Sequence, residues 1–167
     1  MYRIRVILDA EDDVIRDIDI SENSNFTALH DQIVEAFNFE KGELAAFFAS
    51  NDDWEQGEEI SLMDFGAMSG SKARLMSDVI LKEFLSELGS KMIYVYDLLN
   101  LWTFYVDLIK TDIPESSDSR IIKIVGERPA EAPSKSMEST NLEEDYGLED
   151  FENDDFEEDD PYDFNLN

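Results

Sequence analysis

The sequence predicts an α+β fold in which a mostly antiparallel sheet packs on two helices. Three observations support this: a strand-strand-helix opening, two adjacent aromatic-rich strands within residues 91–110, and two stretches with helical spacing of apolar residues. With 167 residues and 43% hydrophobic content, the chain can bury one sizeable core but is too short for two ordinary domains. We therefore predict one α+β domain, residues 1–133, followed by an acidic flexible tail, residues 134–167.

The chain opens with a predicted hairpin. Residues 2–8 and 14–20 both alternate apolar and polar side chains, which is the period of a strand with one buried face, and an acidic turn joins them. Residues 21–25 offer helix-capping side chains, and apolar residues then recur at helical spacing over residues 26–37. This pattern predicts a helix with one stripe facing the sheet.

The middle of the chain predicts two short strands and a second helix. Residues 44–49 and 59–63 have strand character, and the polar loop of residues 51–58 separates them. Apolar residues at helix-like intervals then predict a helix over residues 76–88, with Gly89 as its carboxyl-terminal cap.

Two aromatic-rich strands and a turn follow at residues 91–110. The second strand alternates strictly, with Trp102, Phe104, Val106 and Leu108 on one face. Because the turn at residues 97–100 has no glycine, we expect it to form without positive φ angles, since a leucine there would be strained. A last strand is predicted at residues 120–125, and Pro129 and Pro133 mark the end of regular structure.

Charge and composition limit the function. The chain has 41 acidic and 13 basic residues, a net charge of −28, and a field of that sign repels phosphate backbones and anionic membranes. We therefore expect no direct nucleic-acid binding and no membrane binding. The chain has no cysteine and one histidine, so we expect no thiolate or imidazole metal site and no cofactor. A strand pattern begins at the amino terminus and no run of 18 apolar residues exists, which predicts a cytoplasmic protein.

The tail carries the strongest functional signal. Residues 142–167 contain 13 acidic and no basic residues, with single apolar side chains spread among the acids. Such segments bind basic grooves by combining charge with a few buried rings, although a solubilising appendage and a tail docked on its own domain are alternatives. We predict that the tail engages a basic protein partner through Tyr146, Phe151, Phe156, Glu157, Glu158, Asp159 and Asp160.

A second hypothesis is an enzyme or small-ligand binder with a pocket at the turn. Tyr96, Asp97, Asn100 and Trp102 place polar groups beside aromatic rings, which is the general composition of a ligand pocket. Asp and Asn are also ordinary turn residues that bond their own backbone. Because no nucleophile-base pair, phosphate-binding glycine loop or metal-ligand set accompanies them, a non-enzymatic interaction protein remains the leading hypothesis.

Two further residues have alternative interpretations. His30 lies near the start of the first helix with only Asp31 or Glu35 nearby, so we interpret it as a surface or half-buried residue rather than a catalytic base. Trp54 lies in a charged loop, where it is either an exposed recognition residue or packed back across the edge of the core. That loop lacks the glycine and the closing glutamate of a calcium loop.

Three blocks of sequence carry a family resemblance. The first is FTALHDQIVEAFNF, with Leu29, His30, Ile33 and Phe39. The second runs from residues 76–81 into KMIYVYD, and the third is residues 126–133, with a Gly-x-Arg-Pro-Ala pattern. Together they resemble the plasmid pRiA4b open-reading-frame-three-like family, sometimes labelled as passenger proteins of mobile elements. The resemblance implies an α+β fold with a mixed or antiparallel sheet, and no established activity.

The sequence also departs from the family pattern. Tyr96, Asp97 and Trp102 keep their places in the family signature Tyr-Asp-Phe-Gly-Asp-x-Trp-x-His, but the positions of its Phe, Gly, Asp and final His hold Leu98, Leu99, Asn100 and Phe104. A second pair of family histidines would fall on Glu43 and Ala45. If the family uses those histidines and the turn aspartate as a polar site, this chain lacks it.

Overall fold

The part of the chain that the structure describes, residues 1–64 and 74–133, folds as a mostly antiparallel eight-stranded sheet with two helices, which confirms the predicted α+β class. In this computed structural model the strands are β1 (Tyr2–Leu8), β2 (Ile15–Ile20), β3 (Ala45–Ala49), β4 (Glu59–Ser61), β5 (Arg74–Leu75), β6 (Lys91–Tyr96), β7 (Trp102–Lys110) and β8 (Arg120–Val125). The helices are α1 (Phe26–Ala36) and α2 (Leu81–Phe84).

The strand order is β5-β4-β3-β6-β7-β1-β2-β8. Neighbouring strands are antiparallel except β4 and β5, which are parallel. The first strand lies inside the sheet, since Ile4 is opposite Ile18 of β2 on one side and Leu108 of β7 on the other. The predicted strand-strand-helix opening is confirmed. The later strands β7 and β8 flank its two strands in the sheet.

One face of the sheet, here called the inner face, carries the core. Asn25 caps the start of α1, since its side chain accepts a hydrogen bond from the Ala28 N–H at 3.0 Å, and the helix packs an apolar stripe on this face. The ring of Phe37 lies 4.8 Å from that of Phe104, and Phe26 lies 5.0 Å from Phe47. Each such side chain contributes about 1.5–3 kcal/mol when fully buried. The fully buried residues of the central strands include Ile4, Val6, Met92, Tyr94, Phe104, Val106 and Leu108.

The prediction of a helix over residues 76–88 is wrong for most of its length. The chain instead forms a 3₁₀ turn at Met76–Asp78, an extended bridge at Ile80 and the single turn of α2. The Phe26 N–H donates to the Val79 carbonyl at 3.0 Å, and the Leu81 N–H donates to the Ser24 carbonyl at 2.8 Å. Backbone pairing with the start of α1 therefore replaces the helical hydrogen bonds.

Gly89 does not cap a helix. Its φ is +88°, and its N–H donates to the Leu108 carbonyl at 2.9 Å, so it turns the chain into β6 alongside β7. The apolar residues of the segment still reach the core, because Val79, Leu81 and Leu85 are all buried.

The outer face of the sheet is built from cross-strand ion pairs. Arg3 makes two hydrogen bonds to Asp19, at 2.7 and 3.0 Å, and Arg5 makes two to Asp17, both at 2.8 Å. The hydrogen bonds from Arg3 are the main reason that the pKa of Asp19 is lowered. These pairs join β1 to β2 on the side away from the core.

Trp54 packs back against the outer face. Its ring centroid lies 4.8 Å from that of Tyr105, and the Lys91 ammonium lies 5.3 Å from the Trp54 ring. Trp54 is therefore packed, but it lies partly exposed on the outer face and not across the edge of the core, as one interpretation had expected. The loop of residues 51–58 holds the indole against the sheet.

Candidate functional site

The turn between β6 and β7 is closed by its own aspartate. The carboxylate of Asp97 accepts hydrogen bonds from the Leu99 N–H at 3.2 Å, the Asn100 N–H at 3.4 Å and the Asn100 side-chain amide at 2.6 Å. The Asn100 amide is the largest cause of the lowered pKa of Asp97. Asp97 and Asn100 thus act as turn residues that bond their own segment.

The expectation of a turn without positive φ is wrong. Asp97 has φ +66° and Leu101 has φ +56°, and the Leu101 N–H donates to the Asp97 carbonyl at 2.6 Å. A side chain other than glycine in this region costs about 1–2 kcal/mol. The register of the flanking strands overrides this cost, because Tyr96 lies directly opposite Trp102 and the loop must close between them.

The two rings at the base of the turn are packed against Phe39. The ring of Tyr96 stacks on Phe39 at 4.2 Å, and that of Trp102 meets Phe39 edge-on at 5.0 Å. The Arg128 guanidinium lies 4.7 Å from the Phe39 ring and 5.3 Å from the Trp102 ring, and the Tyr96 hydroxyl donates to the Glu40 carbonyl. The four residues of the ligand-pocket hypothesis are thus engaged by their own neighbours, and the hypothesis stays a prediction.

Two arginines hold the carboxyl-terminal end of α1, a role that sequence reasoning missed. The last carbonyls of a helix have no partner within the helix and carry partial negative charge. The Arg16 Nε donates to the Ala36 carbonyl at 2.9 Å, and Arg128 donates to the carbonyls of Phe37 at 2.7 Å and Asn38 at 2.9 Å. Arg16 is buried, and its guanidinium lies 4.8 Å from the Phe37 ring.

The third family-like block therefore has a structural role in this chain. Gly126 has φ +74°, and a β-carbon there would overlap the backbone carbonyl oxygen of Asp13. The close approach brings the end of β8 against the turn between β1 and β2, and Arg128 then reaches the end of α1. The glycine and the arginine act together to fasten the end of the domain to its first hairpin and first helix.

His30 is buried, so the expectation of a surface or half-buried residue is wrong. Its side chain lies on the core side of α1, where Nδ1 is 2.7 Å from the hydroxyl of the fully buried Tyr94. Burial lowers the pKa of His30, and it raises that of Tyr94. The pair is a hydrogen bond between helix and sheet inside the core.

This burial predicts a pH dependence of stability. The unfolded state has the ordinary histidine pKa of 6.5 and takes up a proton first as the pH falls, whereas the folded state resists protonation. The stabilising contribution of neutral His30 is thus present above pH 6.5 and declines below it. We expect the urea concentration at the midpoint of unfolding to decrease as the pH is lowered from 7.5 to 5.5. In the His30→Gln variant we expect no such decrease. Because His30 is the one histidine of the chain, an equal decline in the variant would contradict this assignment.

The predicted partner-binding residues of the tail, Tyr146, Phe151, Phe156, Glu157, Glu158, Asp159 and Asp160, lie outside the described residues. Their role stays a prediction.

Within residues 1–64 and 74–133, no group of three or more His, Asp or Glu side chains is arranged to hold a metal ion. An open polar cleft of about 380 Å³ lies between the start of α1 and the loop before β8, lined by Met1, Ser21, Ser24, Gln32, Asp118 and further serines. No sequence pattern had indicated it.

The fold places this protein in the class of small α+β proteins with a mostly antiparallel sheet. Comparison of its sequence with known families then identifies the family. The family described as plasmid pRiA4b ORF-3-like protein matches residues 1–156, so the chain belongs to that family and the resemblance is confirmed. No curated protein matches the chain.

A solved structure with a similar fold covers most of both chains. A crystal structure of a protein of unknown function from Methanosarcina mazei covers 93% of this chain and 90% of its own, with a TM-score of 0.60 and 21% sequence identity. At that identity, the likeness shows the fold alone. In the parts of this chain that the structure describes, neither helix has the length and apolar character that a membrane span requires.

Proposed function

We propose that this member of the pRiA4b ORF-3-like family is a non-enzymatic, cytoplasmic protein-interaction module whose acidic tail engages a basic surface on a partner protein. The observation that carries the proposal is the composition of residues 142–167, which hold 13 acids and no base, with the rings of Tyr146, Phe151 and Phe156 among the acids. Acidic segments with isolated apolar anchors can bind by charge and by burial of a few rings.

The arginines of the described residues support this proposal, because all of them already have partners within the domain. A guanidinium is the best protein partner for a carboxylate, yet each arginine in residues 1–64 and 74–133 is already engaged. The four that contact carboxylates are Arg3, Arg5, Arg74 and Arg120, and the two that bond backbone carbonyls are Arg16 and Arg128. A partner rich in lysine or arginine would supply the missing counter-charge.

The acids and the rings contribute to different steps of binding. Long-range attraction between the tail and a basic surface raises the association rate and weakens as salt increases. Buried rings lower the dissociation rate, because they must be re-exposed to water when the complex separates. The two contributions can therefore be measured separately.

The proposal predicts that the whole chain, a chain without residues 134–167 and two full-length variants will bind a purified partner differently. The partner is first captured from native lysate with the whole chain, and capture is expected to be lost when residues 134–167 are removed, with the thermal transition nearly unchanged. Changing Glu157, Glu158, Asp159 and Asp160 to their amides is expected to lower the association rate. Changing Tyr146, Phe151 and Phe156 to serine keeps every charge and is expected to raise the dissociation rate. Equal capture with and without the tail would rule the proposal out.

A further inference from the structure

The tip of the β6–β7 hairpin exposes leucines on a turn that is fixed by hydrogen bonds. The exposed fractions are 41% for Leu98, 92% for Leu99 and 45% for Leu101. A single exposed leucine is ordinary, but three within four positions make a contiguous apolar surface, here called the leucine tip. The bonds from Asp97 described above hold this surface in one shape.

The turn holds residues other than glycine at positive φ angles, which are unfavourable for them. Turns that need positive φ normally use glycine or asparagine, yet the position with φ +56° holds Leu101. Residues kept in sparsely populated conformations concentrate at binding and switch sites, where the strain is retained for function. The leucine tip combines that strain with exposed apolar surface, and the exposure is explained if another molecule covers the leucines.

Acidic residues surround the leucine tip. The Asp9 N–H donates to the Thr103 carbonyl at 2.9 Å, which places the acidic β1–β2 turn beside the start of β7. The Asp97 N–H donates to the Leu44 carbonyl at 2.7 Å, which brings Glu43 to the other side. The acidic rim consists of Glu40, Glu43 and Asp97, and the bases in the same segments are Lys41 and Arg128. Arg128 is already bonded to the end of α1.

We propose that the leucine tip docks into an apolar groove, rimmed by lysine and arginine, on a partner protein. Leu99 is the most exposed of the three and would fill the centre of the groove, while the acidic rim pairs with the basic rim around it. A second copy of this chain would bring two acidic rims together, and an anionic membrane would meet the same repulsion. The surface belongs to the domain and not to the tail, so it does not depend on the function proposed above.

The test uses the full chain with a photoreactive phenylalanine analogue in place of Leu99, and separately in place of Leu88. Leu88 is 61% exposed and lies after α2, so it is a matched control. After crosslinking in cells, the protein attached at position 99 but not at 88 is identified by mass spectrometry and purified. Its affinity for unlabelled wild type, Leu99→Asp, Leu99→Asn and Leu88→Asp is then measured at two salt concentrations.

We expect Leu99→Asp and Leu99→Asn to weaken binding by about tenfold or more, Leu88→Asp to leave it within about twofold, and higher salt to weaken it. The thermal transitions of the variants show that each is folded, and the ring variant of the tail should keep this affinity. Identical crosslinks from positions 99 and 88, or an affinity unaffected at Leu99, would overturn the proposal. Dimerisation or flotation with phosphatidylglycerol vesicles that Leu99→Asp abolishes would overturn it in favour of a second copy or a membrane.

Discussion

The variant Gly126→Ala is expected to destabilise the domain by about 3 kcal/mol or more. The positive φ of +74° costs an alanine about 1–2 kcal/mol, and the added β-carbon must also displace the Asp13 backbone. Because the overlapping atom is a backbone carbonyl oxygen and the Val14 Cα lies only 3.3 Å away, no side-chain rotation relieves the contact. Urea unfolding of the full-length protein measures the loss.

Gly42→Ala is the matched control for this prediction. Gly42 also has positive φ, at +103°, but nothing lies within 4 Å of the position that its β-carbon would take. Its loss is expected to be about 1–2 kcal/mol, from the backbone conformation alone. If the two variants lose the same free energy of unfolding, then the close approach of Gly126 to Asp13 is not the reason that residue 126 must be glycine.

Replacing Arg16 by methionine is expected to cost about 3–5 kcal/mol. The guanidinium is buried and donates to the carbonyls of Ala36, Ile15, Val125 and Gly126 at 2.9–3.1 Å. Methionine retains the packing on Phe37 but leaves the carbonyl at the end of α1 without its charged partner. The decrease in the free energy of unfolding, from urea titration with circular dichroism, tests this.

Arg16→Lys separates the charge from the shape of the guanidinium. Lysine keeps a cation near the negative end of the helix, but its ammonium cannot reproduce the planar fork that joins α1 to the end of β8. We expect a loss between those of wild type and Arg16→Met. If methionine and lysine prove equally harmless, Arg16 does not fasten the helix.

The elements that could be predicted are those whose signal is local. The alternation around Phe104 is a property of consecutive residues, and β7 is found where the pattern placed it. The helix predicted over residues 76–88 is wrong because the spacing of its apolar residues suits a helix and an irregular buried segment equally well. Hydrogen bonds to Ser24 and Phe26, about fifty residues away, determine which of the two forms. Nothing within the segment itself could reveal those partners.

The same limit applies to the polar residues. His30 has polar and charged neighbours in sequence, and only the position of Tyr94 in β6 shows that it faces the core. Arg16 and Arg128 contact a helix end that lies 20 and 91 residues from them, respectively. Leu98 and Leu99 of the leucine tip stand where the family pattern has other residues, but the exposure of the tip and its backbone conformation required the structure.

The position of β1 has a consequence for how the protein is made. Strand β1 is synthesised before β7 and needs it as a neighbour, and β7 follows about a hundred residues later in the chain. Until then the nascent hairpin presents an open strand edge, which attracts chaperones or other unfinished chains. Yield in the cell should therefore depend on the pace of translation between these two strands as well as on the stability of the finished domain.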